Sequence, residues 1–128
     1  MRKLIFIFLA LMLLTACRQD NESAQEAVYM SITAQEAKER MDSLEDYVIL
    51  DTRTREEYDE GHIPGAVLIP HDEITEKAEE TLTDKGQLIL VYCRSGRRSK
   101  LAAEALVELG YTNIKEFGGI IDWPYEVE

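Results

Sequence analysis

Cys93 stands in the run Tyr92-Cys93-Arg94-Ser95-Gly96-Arg97-Arg98-Ser99-Lys100, which places four cations within seven residues of a chain whose formal net charge is −11. Beside a thiol, that clustering has a chemical reading. One unit charge at about 4 Å contributes roughly 4 kcal/mol at an effective dielectric near 20, and less where solvent intrudes. Cationic or helix-terminal surroundings favour the thiolate, which is the nucleophile. The same donors can hold an anionic substrate or a charged intermediate. Gly96 allows a turn tight enough for successive backbone N–H groups to converge on one point. The pattern nominates Cys93 as a catalytic nucleophile and Arg94, Ser95, Gly96, Arg97 and Arg98 as the substrate-binding loop that follows it. An inert buried cysteine ahead of a solvated helix is the plainer account. Arginines in a first helical turn oppose the helix dipole, which speaks against it.

Such a loop needs rigid elements to hold it. Gln87 to Tyr92 (QLILVY) is the most strand-like segment and sets Cys93 at its carboxyl end. Tyr47 to Asp51 and Ala66 to Ile69 read as short buried strands, with Tyr29 to Ile32 as a first strand and Asn113 to Phe117 as a last. Thr33 with Glu36, and Thr54 with Glu57, have capping-box spacing and open helices that run to Leu44 and to Gly61. A polar helix capped by Asp72 is expected to end near Gly86. Leu101, Ala102, Ala105, Leu106 and Leu109 then recur at helical spacing, with Gly110 as the stop. That last helix, starting near Arg98 or Ser99, aims its positive end back at the cysteine loop. Buried strands alternating with helices predict one α/β domain over residues 29–128, a mainly parallel sheet covered on both faces. Open parallel sheets bind ligands beyond the carboxyl ends of their strands, where Cys93 lies.

The first residues do not belong to that domain. Arg2 and Lys3 precede an unbroken apolar run, Leu4 to Leu14, and then Leu14-Thr15-Ala16-Cys17 and a polar stretch. The run is too short for a bilayer span of about 20 residues. Charged start, short apolar stretch and small-residue site together mark an export signal. LTAC resembles the lipobox of bacterial lipoprotein signal peptides. The resemblance implies a signal over 1–16, lipid on Cys17, a tether over 17–28, and a domain anchored to the cell envelope, facing the periplasm or the exterior. Several acyl chains anchor stably without a span. Cys93 is then the one remaining thiol, without an intrachain partner. The exported chain carries 12 cations against 25 acids, net −13, a surface that repels nucleic acid.

Two segments, Asp51-Thr52-Arg53 through Glu57-Tyr58 to Gly61-His62-Ile63-Pro64-Gly65-Ala66, and Tyr92 to Ser99, together resemble the rhodanese (sulfurtransferase) family. Gly118-Gly119-Ile120-Ile121-Asp122-Trp123 closes the domain in the same order. The resemblance implies a rhodanese-like fold of about five strands with Cys93 as the catalytic cysteine. It implies transfer of a sulfane sulfur from an anionic donor such as thiosulfate, through a Cys93 persulfide, to a thiol or cyanide acceptor. In that pattern the backbone amides of Arg94 to Arg98 form the cradle, Arg98 is best placed for the donor's anionic group, and no cofactor or metal is required.

Loop length bears on the chemistry. Cysteine-dependent phosphatases hold phosphate in a loop with five residues between cysteine and arginine, whereas Arg98 follows Cys93 after four and the next position is Ser99. A phosphatase or arsenate reductase is one alternative, and a non-catalytic module at the membrane another. Elsewhere the expectations are structural. Arg53 and Glu57 are expected to pair and tie a strand end to the next helix, His62 to satisfy loop backbone groups, and Trp123 to join the core. His62, His71 and Cys93 lack the spacing and the fourth ligand of a zinc site.

Overall fold

The structure is a computed structural model that describes residues 28–128. The export signal, Cys17 and nearly all of the tether lie outside the described residues. Five strands form one sheet: β1 (Met30–Ser31), β2 (Tyr47–Asp51), β3 (Val67–Leu68), β4 (Leu88–Cys93) and β5 (Ile114–Gly119), in the order β1-β5-β4-β2-β3. Every pairing is parallel. Four helices connect them: α1 (Ala34–Ser43), α2 (Arg55–Glu60), α3 (Ile74–Thr81) and α4 (Arg97–Glu108). The α/β architecture is the one expected.

Strand periodicity divides the core into two layers. Leu50, Ile89 and Val91 point to one face, where Ile74 and Ala78 of α3 and Ala102, Ala103 and Leu106 of α4 meet them. Their neighbours Ile49, Leu90 and Tyr92 point to the other, against Ala37 of α1, Ile63 and Phe117. Successive strand side chains alternate faces, so a strand apolar at every position is one that is covered on both. β4 is buried at all six positions, which makes its carboxyl end a fixed platform.

Helix ends follow local chemistry except at α3, where both ends differ from expectation. Thr33 accepts from the Glu36 N–H at the start of α1, and Thr54 with Glu57 forms the reciprocal capping box of α2. Asp72, however, does not cap α3. It lies inside a 3-10 turn, His71–Glu73, held by the Glu73 N–H donating to the Pro70 carbonyl, and α3 begins after that turn without a side-chain cap. The turn supplies hydrogen bonds that a cap would otherwise provide. α3 also stops at Thr81, short of Gly86, because Leu82 turns inward and is buried. α4 ends as expected: Gly110 takes φ +92°, its N–H donates to Val107, and the Tyr111 N–H donates to Leu106. Trp123 is only partly buried, against the second core layer.

Candidate active site

Cys93 is the last residue of β4 and has no exposed surface. The chain then bends through Arg94 and Ser95 to Gly96, which at φ +107° turns it directly into α4. A β-carbon disfavours that left-handed conformation, so glycine suits the position. The Gly96 N–H donates to Cys93 Sγ at 2.9 Å. α4 starts at Arg97 with no side-chain cap and no acid in its first turn, which leaves its leading amides and the positive end of its dipole turned towards the loop.

Behind the sulfur lies a polar cluster. Ser99 Oγ is 3.4 Å from Sγ and donates to Glu116 Oε1 at 2.7 Å. Glu116, 2% exposed on β5, also accepts from the Gly118 N–H at 2.7 Å and from Ser31 Oγ at 3.1 Å. The loop leans on the end of the same strand. Cys93 pairs in register with Gly119, and the Arg94 carbonyl accepts from the Ile121 N–H. A β-carbon on Gly119 would fall 1.9 Å from the Arg94 carbonyl oxygen, so only glycine lets the two backbones meet.

The cations divide into two kinds. Arg94 and Arg97 are exposed, as are Ser95 and Lys100. Arg98 is half-buried and grips Glu57 of α2 with both ends of its fork, at 2.5 and 2.9 Å. Glu57, then Cys93 and Asp51 at longer range, hold the Arg98 guanidinium above its ordinary value against the opposing effect of burial. This corrects the expected Arg53–Glu57 pair. Arg53 instead folds back on Asp51, two residues earlier, and also donates to the Gly61 carbonyl. Asp51 more than offsets the burial that works against the Arg53 charge. Tyr92 completes this buried network, donating to Asp51 at 2.6 Å and accepting from the Ile63 N–H. Burial, followed by that bond to Asp51, pushes the Tyr92 phenol up.

Arg98 holds the Glu57 carboxyl down at about 2, from an ordinary value of 4.5. A carboxylate depressed on folding adds stability above its unfolded value and loses it as pH falls through the folded one. The pair's contribution is therefore complete above about pH 4.5 and gone near pH 2. Glu57→Gln is expected to lower unfolding stability at pH 7, with the gap to wild type closing across that window in urea titrations. A gap that stays constant from pH 6 to pH 2 refutes the assignment.

His62 bonds to backbone, as expected, but to that of helix α2 and not of its own loop. Its Nδ1 donates to the Tyr58 carbonyl at 3.0 Å, Nε2 lies 3.3 Å from Glu128, and the ring stacks on Tyr58, contacts with the end of α2 and the end of the chain. Among the described residues no group of histidine, cysteine and acid side chains is arranged to hold a metal ion. Cys17 lies outside them. A groove of about 490 Å³, lined by Met41, Tyr47, Ile63, Trp123 and Tyr125 among others, includes no residue of the cysteine loop. Three contributors to the site escaped the sequence reading: Glu116, Ser99 as the link to it, and Gly119 as the loop's backstop. An acid two residues after Ile114, and so on the same face of the strand, was the available signal for the first.

The chain is similar to known proteins. The rhodanese-like domain family matches residues 33–124. Thiosulfate sulfurtransferase PspE of Escherichia coli is 40% identical over 73 residues, 57% of this chain and 70% of that one. A sulfurtransferase of Allochromatium vinosum is 34% identical over 93 residues, 72% of this chain and 85% of its own length. Some relatives are longer, and the chain spans 58% of one from Bacillus subtilis. Among solved structures, an E. coli rhodanese with anions superposes with a TM-score of 0.61 at 35% identity, over 64% of this chain and 96% of that one. With a cysteine at the end of the central strand, a loop cradling its sulfur and a family match across most of the described residues, this chain belongs to the rhodanese-like family, among relatives that are sulfurtransferases.

Proposed function

We propose that this chain moves a sulfane sulfur from a small anionic donor of the thiosulfate type to a thiol or cyanide acceptor through a persulfide on Cys93. The observation that carries the reading is the Gly96 N–H aimed at Cys93 Sγ, 2.9 Å away, at the unacidic start of α4. In the first half-reaction the Cys93 thiolate attacks the outer sulfur of thiosulfate. The bond between the two donor sulfurs breaks, and sulfite leaves with its electron pair. In the second, the acceptor bonds to the outer sulfur of the persulfide, and Cys93 leaves as thiolate. Loop amides that accommodate one charged sulfur serve both steps.

Arg94 and Arg97, exposed and flanking the cysteine loop, are the donor-binding cations. Ser95 and Gly96 shape the cradle. Arg98 joins them only if it exchanges Glu57 for the donor. Because Sγ has no exposed surface, reaction at it requires local movement of the loop or of the side chains over it. Four residues between Cys93 and Arg98 suit a single sulfur better than a phosphate. Residues 1–16 act as a lipoprotein signal, and lipid on Cys17 holds the domain at the cell envelope outside the cytoplasm. The charged start, the apolar run and LTAC support that assignment. Fatty-acid labelling that persists in Cys17→Ser would overturn it.

Peptide-mapped mass spectrometry of the full chain tests the transfer chemistry. Thiosulfate is expected to add about 32 Da, one sulfur atom, to the Cys93 peptide, and cyanide to remove it. Failure to gain that mass with either thiosulfate or a polysulfide overturns the proposal and returns phosphate and arsenate chemistry to first place.

A further inference from the structure

Glu116 is a buried acid that the transfer steps do not use. All three of its partners, Ser99 Oγ, the Gly118 N–H and Ser31 Oγ, are donors, the set that a carboxylate takes. Ser99 connects it to the sulfur. A hydroxyl has one proton and two lone pairs. The two nearest acceptors compete for that proton, the Gly96 carbonyl at 3.0 Å and Glu116 Oε1 at 2.7 Å; the nearer and charged one takes it, and a lone pair faces Cys93 Sγ, 3.4 Å away. That lone pair can accept the S–H of a thiol and repels the charge of a thiolate.

We propose that Glu116 is a positioning residue that acts through Ser99 against charge on Cys93 Sγ, and so favours the sulfur-loaded protein over the empty one. In the persulfide, Sγ is a neutral divalent sulfur and the charge sits on the outer atom, one bond removed from the atom that the Ser99 lone pair faces. When an acceptor such as cyanide bonds to that outer atom, the sulfur–sulfur bond breaks and Sγ takes the electron pair. The charge then arrives at the atom that Ser99 and Glu116 disfavour. Discharge is slowed, and a loaded sulfur is held until a strong acceptor comes.

The other charges around the site do not supply this effect. Arg98 of α4 favours the thiolate but is held by Glu57 of α2. Arg94 and Arg97 are exposed in the loop and at the start of α4. Asp51 of β2 is neutralised by Arg53, with Tyr92 of β4 donating to it. Lys115, next to Glu116 on β5, reaches Met30 of β1. Glu116 is the acid that meets the sulfur's own hydrogen-bond partner.

The test uses the full chain and Glu116→Gln, which keeps an acceptor for Ser99 and Gly118 and offers an amide to Ser31 but removes the charge. Iodoacetamide alkylation of the Cys93 peptide, followed from about pH 5 to 10, is expected to shift its midpoint about one unit lower, tenfold in thiolate-to-thiol ratio. Cyanide discharge of the persulfide is expected to quicken several-fold. Ser99→Ala, which removes the lone pair, is expected to move the alkylation midpoint in the same direction. In that background, adding Glu116→Gln should move it far less. A purely packing role would alter stability and leave the midpoint in place. An unchanged or raised midpoint in folded Glu116→Gln overturns the proposal. If that variant does not fold, a raised midpoint in Ser99→Ala overturns it, because Ser99 would then be donating to the thiolate. The discharge arm rests on the sulfurtransfer reading, but the alkylation arm does not. Failure of wild type to load sulfur removes that reading and leaves the alkylation result to decide the role of Glu116.

Discussion

Replacing Cys93 with serine is expected to abolish sulfur transfer while leaving the domain folded. The transfer requires a nucleophile that is anionic, that forms a bond to sulfur, and that leaves again as an anion. An alcohol fails the first requirement at neutral pH without a general base, and one of the chain's two histidines, His62, has both ring nitrogens engaged with Tyr58 and Glu128. The fold has little reason to notice the change. A serine hydroxyl at this buried position finds the Gly96 N–H as donor and Ser99 Oγ as acceptor, so no polar group is orphaned and stability should change by about 1 kcal/mol or less. Thiocyanate production from thiosulfate and cyanide is the assay, with urea unfolding beside it. Retention of more than a trace of turnover by folded Cys93→Ser would place the chemistry at another residue. Loss of activity together with loss of the fold would instead show that the thiol is holding the loop in place.

What the sequence made legible is what depends on neighbours along the chain. β2 and β4 could be read because strands covered on both faces are short apolar runs, and their length and β-branched content set them apart from buried helix segments. The α2 capping box and the glycine that ends α4 are local motifs with local causes. The position of Cys93 followed from both. Pairings across the fold were hidden. Arg53 and Glu57 sit one helical turn apart and invite a salt bridge, yet Glu57 finds Arg98, 41 residues away, and Arg53 curls back on Asp51. Only the adjacency of β2 and β4, set by the sheet order, brings α2 against the start of α4. Glu116 and Gly119 were hidden for the same reason: β5 lies beside β4, and nothing within either strand says so.

Gly119→Ala tests that hidden adjacency most severely. The residue lies in ordinary extended backbone, φ −124° and ψ 153°, so alanine has no conformational objection to it. The objection is steric. An added methyl would lie 1.9 Å from the Arg94 carbonyl oxygen, 2.4 Å from its carbon and 2.5 Å from Ser95 Cα, all of them backbone atoms that cannot rotate away. Either the loop or the end of β5 must move by more than about 1 Å, and overpacking of that kind costs 1–3 kcal/mol or more. Movement of the loop withdraws the Gly96 N–H from Sγ, and a misplacement of about 1 Å is enough to lower a catalytic rate about 100-fold. The neighbouring glycine separates this account from a general intolerance of side chains in the strand. Gly118 has φ +88° and nothing within 4 Å of its would-be β-carbon, so Gly118→Ala should cost only about 1–2 kcal/mol of backbone strain. Thiocyanate turnover is therefore expected to fall about 100-fold in Gly119→Ala and much less in Gly118→Ala, at temperatures where both are folded. Equal losses in the two variants would mean that the strand, and not its contact with the cysteine loop, is what the substitution damages. A Gly119→Ala protein with wild-type turnover would mean that β5 does not brace the loop at all.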